Sequence, residues 1–396
     1  MTTVDDDQTM LRSNLELIGR DKINDLEAVL NFVGKYDVEG YHRVPDNCPA
    51  EFTWDYEKGA KPQLDKLYEK AKKAQWNGQT DLDWSIEVDQ EKVVIANAEA
   101  NPAMTQMDPA SFAGTVLDTW DEKRFIRFGI ENQNWMLSQF MHGEQGALLC
   151  TAKIVETVPW IDAKYYAATQ VMDEARHVET YSRYLDKIET AYPINPNLKS
   201  LLDDVLSDSR WDMTYLGMQI LIEGLALAAF GLIRNTAGDP LGKAVNAYVM
   251  QDEARHVMFG RLALRDYYPQ LSQAERDDRE EFCADACYRM RDRFLGEELW
   301  QCLGYDPEDC LDYVNHSESQ QVFRSLLFTR IVPTLKDVGL WGPKMRQTFA
   351  DMGVIGYEST DLDAVMAEDE SIAEEVDVQQ RAAMDAAIAD GVAAAT

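Results

Sequence analysis

Five histidines and six cysteines are all that 396 residues supply of the softer metal-binding side chains, and positive charge is scarce as well. Cys48, Cys150, Cys283, Cys287, Cys302 and Cys310 form no Cys-x-x-Cys pair and no zinc-ribbon spacing, which sets aside a thiolate zinc site. With an acidic, polar segment from Met1 to Met10 where a secretory signal would be apolar, they point to reduced thiols in a cytoplasm. Lys plus Arg total 38 against 70 Asp plus Glu, a net charge of -32. Nucleic acid and anionic membranes would be repelled, so neither is an expected partner, and the balance suits basic partners or high salt. No apolar run reaches the ~18 residues of a membrane span, and a soluble protein is expected. Flavin and nicotinamide fingerprints are missing too.

What is present is core-forming material, 45% apolar with nine Trp and seventeen Tyr. The length allows two or three domains or one large helical one. Residues 1–122 mix charge, Pro and aromatics and read as a helical and loop cap, with helices over Asp21 to Val33 and Leu64 to Ala74 and a loop over Val44 to Lys61. Four long helical patterns follow within 123–268: Lys123 to Thr157, Asp162 to Ala191, Asp203 to Asn235, and Asp239-Pro240 to Tyr268, closed by Pro269. Residues 269–360 read as flanking helices (Ala274 to Phe294, Ser319 to Ile331, Pro343 to Asp351). The Ala-rich stretch 361–396 reads as a solvated acidic tail, ten acids against one base over 361–390. The expected fold class is all-α, a four-helix bundle with additional flanking helices.

Within the third pattern, Met218 to Ile233 holds a single ionisable side chain, Glu223. A carboxylate left unpaired in so apolar a helix costs several kcal/mol or more, so a proton, cation or metal must neutralise it. Thirty residues on comes Asp252-Glu253-Ala254-Arg255-His256, with Glu253 and His256 three apart and therefore on one helix face. Seventy-nine residues earlier the same set recurs as Glu144, Asp173, Glu174, Arg176 and His177. One Glu-x-x-His could be a surface ion pair; two copies, each preceded by a Glu on an apolar helix, form an internal repeat.

In a four-helix bundle, one Glu from each of two helices and Glu-x-x-His from each of the others can converge inward. The set then comprises four carboxylates and two imidazoles, balancing two divalent cations. Oxygen-rich ligation with one nitrogen per metal suits iron or manganese. Ligating imidazoles need an acceptor on the other ring nitrogen. Asp173 and Asp252 are expected to serve the His of the opposite half, with Arg176 and Arg255 balancing those aspartates.

At these residues the chain resembles the ferritin-like di-iron carboxylate superfamily. Its doubled Asp-Glu-x-Arg-His is most similar to the oxygen-activating branch: hydroxylase components of bacterial multicomponent monooxygenases, soluble acyl-carrier-protein desaturases, aminobenzoate N-oxygenases and the small subunit of ribonucleotide reductase. The resemblance covers about 123 to 268. It implies that Glu144, Glu174, His177, Glu223, Glu253 and His256 ligate two irons, manganese or a mixed Mn/Fe pair being alternatives. It also implies that dioxygen is a substrate and that electrons come from a separate ferredoxin or reductase. A homodimer is compatible with it.

Departures from the branch narrow the choice. Where hydroxylases and desaturases commonly have Thr, one turn after the third-helix Glu, stand Ala226 and Leu227. Where N-oxygenases carry an extra His stands Val249. Tyr181 occupies the place of the reductase subunit's radical tyrosine, although the first ligand here is Glu rather than Asp, and it is read as a redox or proton relay or as a core Tyr. Ala147, Leu148, Ala226, Leu227 and Gly260 lie about one turn beyond the ligands, with Phe230 further along, and these six are expected to line an apolar substrate pocket, though small residues also serve close packing. The expected activity is a di-iron oxygenase, monooxygenase-like, that hydroxylates, desaturates or similarly oxidises a largely apolar small molecule. Alternatives are an aryl-amine N-oxygenase, a ferritin-like iron-handling protein without oxygenase activity, and a bundle whose metals only stabilise it.

Overall fold

Prolines and polar caps set where the helices begin. Pro62 opens α1 (Pro62–Lys73), and α2 spans Gln90–Ala100. The Asp121 side chain accepts from the Arg124 N–H and starts α3 (Glu122–Thr157); α4 (Ile161–Lys187) follows after a three-residue break. Asn195 accepts from the N–H groups of Asn197 and Leu198 at the head of α5 (Pro196–Ser207). α6 is continuous through Trp211–Thr214, Tyr215–Ile222 and Glu223–Thr236, the middle segment π-helical. Asp239 caps α7 (Pro240–Arg265), with Pro240 supplying no N–H where none is needed. A Ser272–Glu275 capping box starts α8 (Gln273–Asp292). Five short helices follow: α9 (Glu297–Cys302), α10 (Pro307–His316), α11 (Glu318–Leu326), α12 (Ile331–Asp337) and α13 (Pro343–Asp351).

This is a computed structural model, and it describes residues 42–45, 48–100, 114–236 and 239–371. The chain divides into two compact units, 1–45 and 46–396, and every helix named above belongs to the second. The helix expected over Asp21 to Val33 lies outside the described residues, as does 372–396. No strand occurs among the described residues, so the all-α class holds. α3, α4, α6 and α7 pack on one another as a four-helix bundle, with α1 on α4 and α7 and with α5, α8 and α12 around α6. At about 1.5 Å per residue the 36 residues of α3 reach about 54 Å. The core is continuous through the bundle and its flanks, from Leu64 and Trp76 to Phe349 and Met366.

Several sequence expectations need correction. The third long helix does not start at Asp203. Residues up to Ser207 belong to α5, and Asp208 turns the chain by accepting from the Arg210 N–H and guanidinium. The helix expected over Ser319 to Ile331 ends at Leu326, and Ile331 opens α12, whose first turn accommodates Pro333. α2 lacks an apolar stripe and α9 is only six residues long, so neither announced itself in the sequence; α10 was not anticipated either. The expected solvated tail begins as a packed helix over 362–371, with Leu362, Met366 and Asp369 buried and Asp369 paired to Arg330 at 2.5 Å. Finally, Trp211–Leu232 is, by length and composition, 22 residues apolar enough to cross a membrane, which the run around Glu223 was expected not to be. Thr214 and Gln219 break the run without lowering its average enough. In the fold, 83% of its most apolar window is buried against other helices.

Candidate metal centre

Helical spacing delivers the six side chains to one place. Glu144 comes from α3, Glu174 and His177 from α4, Glu223 from α6, and Glu253 and His256 from α7, all 5% exposed or less. Glu144, Glu174, His177 and Glu253 form one group, and Glu174, Glu223 and His256 another; within each, one candidate ligand atom per residue lies within 4.8 Å of the others. Glu174 belongs to both. Glu253 also reaches both, its Oε1 being 3.3 Å from His177 Nδ1 and 3.5 Å from His256 Nδ1.

The position of Glu223 depends on the π-helical segment before it. The Glu223 N–H bonds to the Met218 carbonyl, five residues back, so the turn is wider than an α-turn and the carboxylate is re-aimed relative to a regular helix. All eight residues Tyr215–Ile222 are buried.

Around the six lies a charged network. Asp252 Oδ2 is 3.0 Å from His177 Nε2, and Asp173 Oδ2 is 3.4 Å from His256 Nε2. Arg176 bridges the two aspartates, 2.5 Å from Asp173 Oδ1 and 2.7 Å from Asp252 Oδ2, and Arg255 pairs with Asp252. Both aspartates are fully buried. Each imidazole therefore turns Nε2 to an aspartate and Nδ1 to the glutamates.

Three groups in this network escaped the sequence reading. Trp76 donates to Asp252 Oδ2 at 2.7 Å, and its ring lies under the Arg176 guanidinium, 4.7 Å away. Gln75 donates to Asp173 at 3.0 Å and accepts from Arg176 at 2.9 Å. Both come from the segment after α1, which was expected only to pack. Gln170 donates to Glu174 and to Glu223, 2.9 Å each; it precedes Glu174 by one helical turn, a spacing that could have singled it out.

Electrostatics follow from burial. Burial raises the carboxyls of Glu144 and Glu223 well above the usual carboxylate range, with repulsion from Glu253 added to each. Burial also opposes ionisation of Glu174, but His256 and His177 overcome it and hold that group low. Both imidazoles are raised well above the ordinary histidine value: burial resists the charge, yet Glu144 and Asp252 favour it on His177, and Glu174 and Glu253 on His256. Asp252 is held low against its burial by Arg255, His177 and Arg176. Both Glu253 oxygens, Oε2 of Glu223, Oε2 of Glu174 and Nδ1 of His256 are buried without a hydrogen-bond partner. Unsatisfied buried polar atoms are costly, and these five belong to side chains of the two groups described above. Carboxylates in excess with one imidazole nitrogen per group make a donor set able to hold a dinuclear metal site.

A narrow cavity adjoins this centre, open to about 20 Å³, room for about one water molecule. Glu144, Glu223 and Glu253 line it together with Phe140, Ala147, Met218, Ile222, Ala226, Phe230 and the unanticipated Gln139, Gly143 and Arg293. Of the expected pocket residues, Ala147, Ala226 and Phe230 are there; Leu148, Leu227 and Gly260 are not. Leu148 is only half-buried on α3, and Leu227 is packed in the core. Gly260 faces the π-helical segment, where a Cβ would come within 2.6 Å of Gln219 Cβ, so its smallness serves helix contact. Tyr181 donates to Asn246 Oδ1 at 3.1 Å rather than to a glutamate of the centre, and its ring lies against Phe140 and Phe230.

No family model matches the sequence, and no curated protein matches it. Among solved structures, the chain is similar to a single-substitution variant of an R2-like ligand-binding oxidase with an anaerobically reconstituted Mn/Fe cofactor. That likeness has 18% identity and a TM-score of 0.43 over 73% of this chain and 96% of the other. It is also similar to an R2-like ligand-binding oxidase with an aerobically reconstituted metal cofactor after photoconversion, at 15% identity and a TM-score of 0.36 over 78% of this chain and 100% of that one. The chemistry of the site rests on the side chains themselves.

Proposed function

We propose that this protein is a dinuclear non-haem iron oxidoreductase that uses dioxygen to oxidise a largely apolar organic molecule by hydroxylation, desaturation or a related reaction. The observation that carries the reading is Glu253, 1% exposed, flanked by both histidines, with neither oxygen hydrogen-bonded. A buried carboxylate so placed costs several kcal/mol unless a cation meets it. Glu144 and His177 would hold one metal and Glu223 and His256 the other, with Glu174 and Glu253 shared between them. Two divalent cations then balance four carboxylates. Iron suits these ligands, and manganese or a mixed Mn/Fe pair would take the same ones.

Bound there, the metal pair supplies electrons for reducing dioxygen, replenished by an external ferredoxin or reductase. The chain's own residues do the rest. Asp252 and Asp173 accept from the imidazole Nε2–H groups and so keep each Nδ1 lone pair toward the centre. Phe140, Met218, Ile222 and Phe230 exclude bulk water from the oxidising site. The cavity as it stands has room for about one water molecule, and an organic substrate requires its walls to part.

Anaerobic titration with ferrous iron, followed by oxygen and read by Mössbauer spectroscopy, tests the reading. Two irons per chain that oxidise together support it, and a Glu253→Ala variant should lose that behaviour. Many irons per chain would indicate storage, and none would remove the centre.

A further inference from the structure

A cleft of about 400 Å³ opens among the flanking helices, lined from the end of α8, the end of α10, α11 and the residues that follow α13. It shares no lining residue with the cavity beside the metal centre, which holds about 20 Å³. Small-molecule sites commonly occupy about 300–1,000 Å³, so the cleft has the room that the centre lacks. Gln321, Arg324 and Ser325 stand three and four residues apart on one face of α11, and that face lines the cleft together with Arg291 from the last turn of α8.

Two guanidinium groups thus face one space in a chain whose net charge is -32. Arg324 is buried, 8% exposed, and only neutral acceptors answer it: Asn315 Oδ1 and the Val314 carbonyl, 3.2 Å each. Four other buried arginines are answered by aspartates, Arg176 by Asp173, Arg255 by Asp252, Arg261 by Asp337 and Arg279 by Asp212. Burial lowers the Arg324 guanidinium, repulsion from Arg291 lowers it further, and Asp292 restores only part. Arg291 is half-buried and gives its Nε–H to Asp292 at 2.6 Å. Each Nη group of a guanidinium carries two N–H bonds, and those of Arg324 have one acceptor apiece. Both arginines therefore have donors left for a ligand.

The pair selects the kind of anion. A carboxylate has two oxygens, which a single guanidinium fork already matches. A phosphoryl group has three acceptor oxygens and close to two negative charges at neutral pH, so it can engage both arginines at once and remove their mutual repulsion. Asp351 also lines the cleft, its Oδ1 accepting from Gln347 at 2.7 Å. Its carboxylate would repel a second anionic group and accept from a hydroxyl.

We propose that this cleft binds the phosphate monoester of a small hydroxylated molecule, with its phosphoryl group between Arg291 and Arg324 and its hydroxyls toward Asp351. The site is separate from the metal centre, and the inference does not depend on the function proposed for that centre.

The test is calorimetric titration of the full chain in phosphate-free buffer, both metal-free and Fe(II)-loaded under argon with unbound iron removed. The probes are ribose 5-phosphate, ribose, inorganic phosphate and succinate. One ribose 5-phosphate should bind per chain, about tenfold or more tightly than ribose or succinate, the ratio that a charge-assisted hydrogen bond supports. The affinity should be the same with and without metal. Arg324→Met and Arg291→Met should each remove the preference over ribose, and the half-buried Arg291 carries the test if Arg324→Met fails to fold. Asp351→Asn should weaken ribose 5-phosphate severalfold and leave inorganic phosphate bound no more weakly. No binding of ribose 5-phosphate overturns the inference, as does a preference that survives in Arg291→Met. Succinate bound as tightly as ribose 5-phosphate overturns the choice of a phosphoryl group. Binding that appears only in the iron-loaded protein would put the anion on the metals, which also overturns it, and an Asp351→Asn variant that binds ribose 5-phosphate like the wild type overturns the placement of the hydroxyls.

Discussion

His177 on α4 turns its Nε2 to Asp252 on α7, 3.0 Å away, while in the converse pair His256 and Asp173 stand 3.4 Å apart. Each copy of the duplicated motif thus orients the imidazole of the other, and the two contacts are unequal. Asp252 gathers Trp76, Arg176 and Arg255 as well, whereas Asp173 gathers Gln75 and Arg176.

Asp252→Asn should therefore weaken metal binding by about 10- to 100-fold, the usual effect of removing a carboxylate behind a ligating histidine. Asp173→Asn should cost less, because its histidine contact is longer. Competition with a chromophoric chelator measures both, and equal losses would contradict the asymmetry.

Metal removal should make stability depend on pH in a particular direction. Glu144 and Glu223 are raised in the fold above their ordinary 4.5, and the two histidines above their ordinary 6.5. Above each ordinary value the unfolded chain releases a proton that the fold retains, so these groups stabilise fully below it and progressively less as pH rises toward the folded value. Each contributes a loss of up to about 1.4 kcal/mol per pH unit. Glu174 and Asp252, held low, act oppositely and lose their contribution in acid. Metal-free protein should thus lose stability from about pH 5 upward, while metal affinity rises over the same range because ligation displaces protons. Urea midpoints across pH, with and without metal, check this; parallel curves would contradict it.

Gly260→Ala should destabilise the fold by about 1–3 kcal/mol. Its Cβ would press on Gln219 Cβ at 2.6 Å and Ile220 Cδ1 at 3.1 Å, within the π-helical segment that aims Glu223. Metal stoichiometry should fall with it. A variant with an unchanged urea midpoint and full metal loading would show that the segment tolerates displacement.

Tyr181→Phe should cost about 1 kcal/mol, since it leaves Asn246 Oδ1 without its buried donor. Metal content should stay at wild-type level, because the hydroxyl touches no glutamate of the centre. A loss of metal on this substitution would place Tyr181 among the groups that orient the ligands.

The sequence carried the centre more clearly than its surroundings. Glu-x-x-His is a spacing of three on one helix, and a second copy at a fixed offset of seventy-nine needs no tertiary information to be noticed. Gln75 and Trp76 reach the aspartates from 98 and 176 residues away in the chain, with no local period to mark them. Nor does Arg293 look different in sequence from Arg291 two residues earlier, which is half-buried and pairs with Asp292; only burial separates them. The π-helical turn before Glu223 was hidden for another reason. Tyr215–Ile222 is apolar apart from Gln219, so its composition cannot distinguish a bond five residues back from one four back.

The most direct measurement is anomalous diffraction at the iron edge from crystals of Fe(II)-loaded protein. Two peaks should appear, one bounded by Glu144 and His177 and the other by Glu223 and His256, with Glu174 and Glu253 reaching both. A single peak, none, or peaks away from these six side chains would contradict the dinuclear centre.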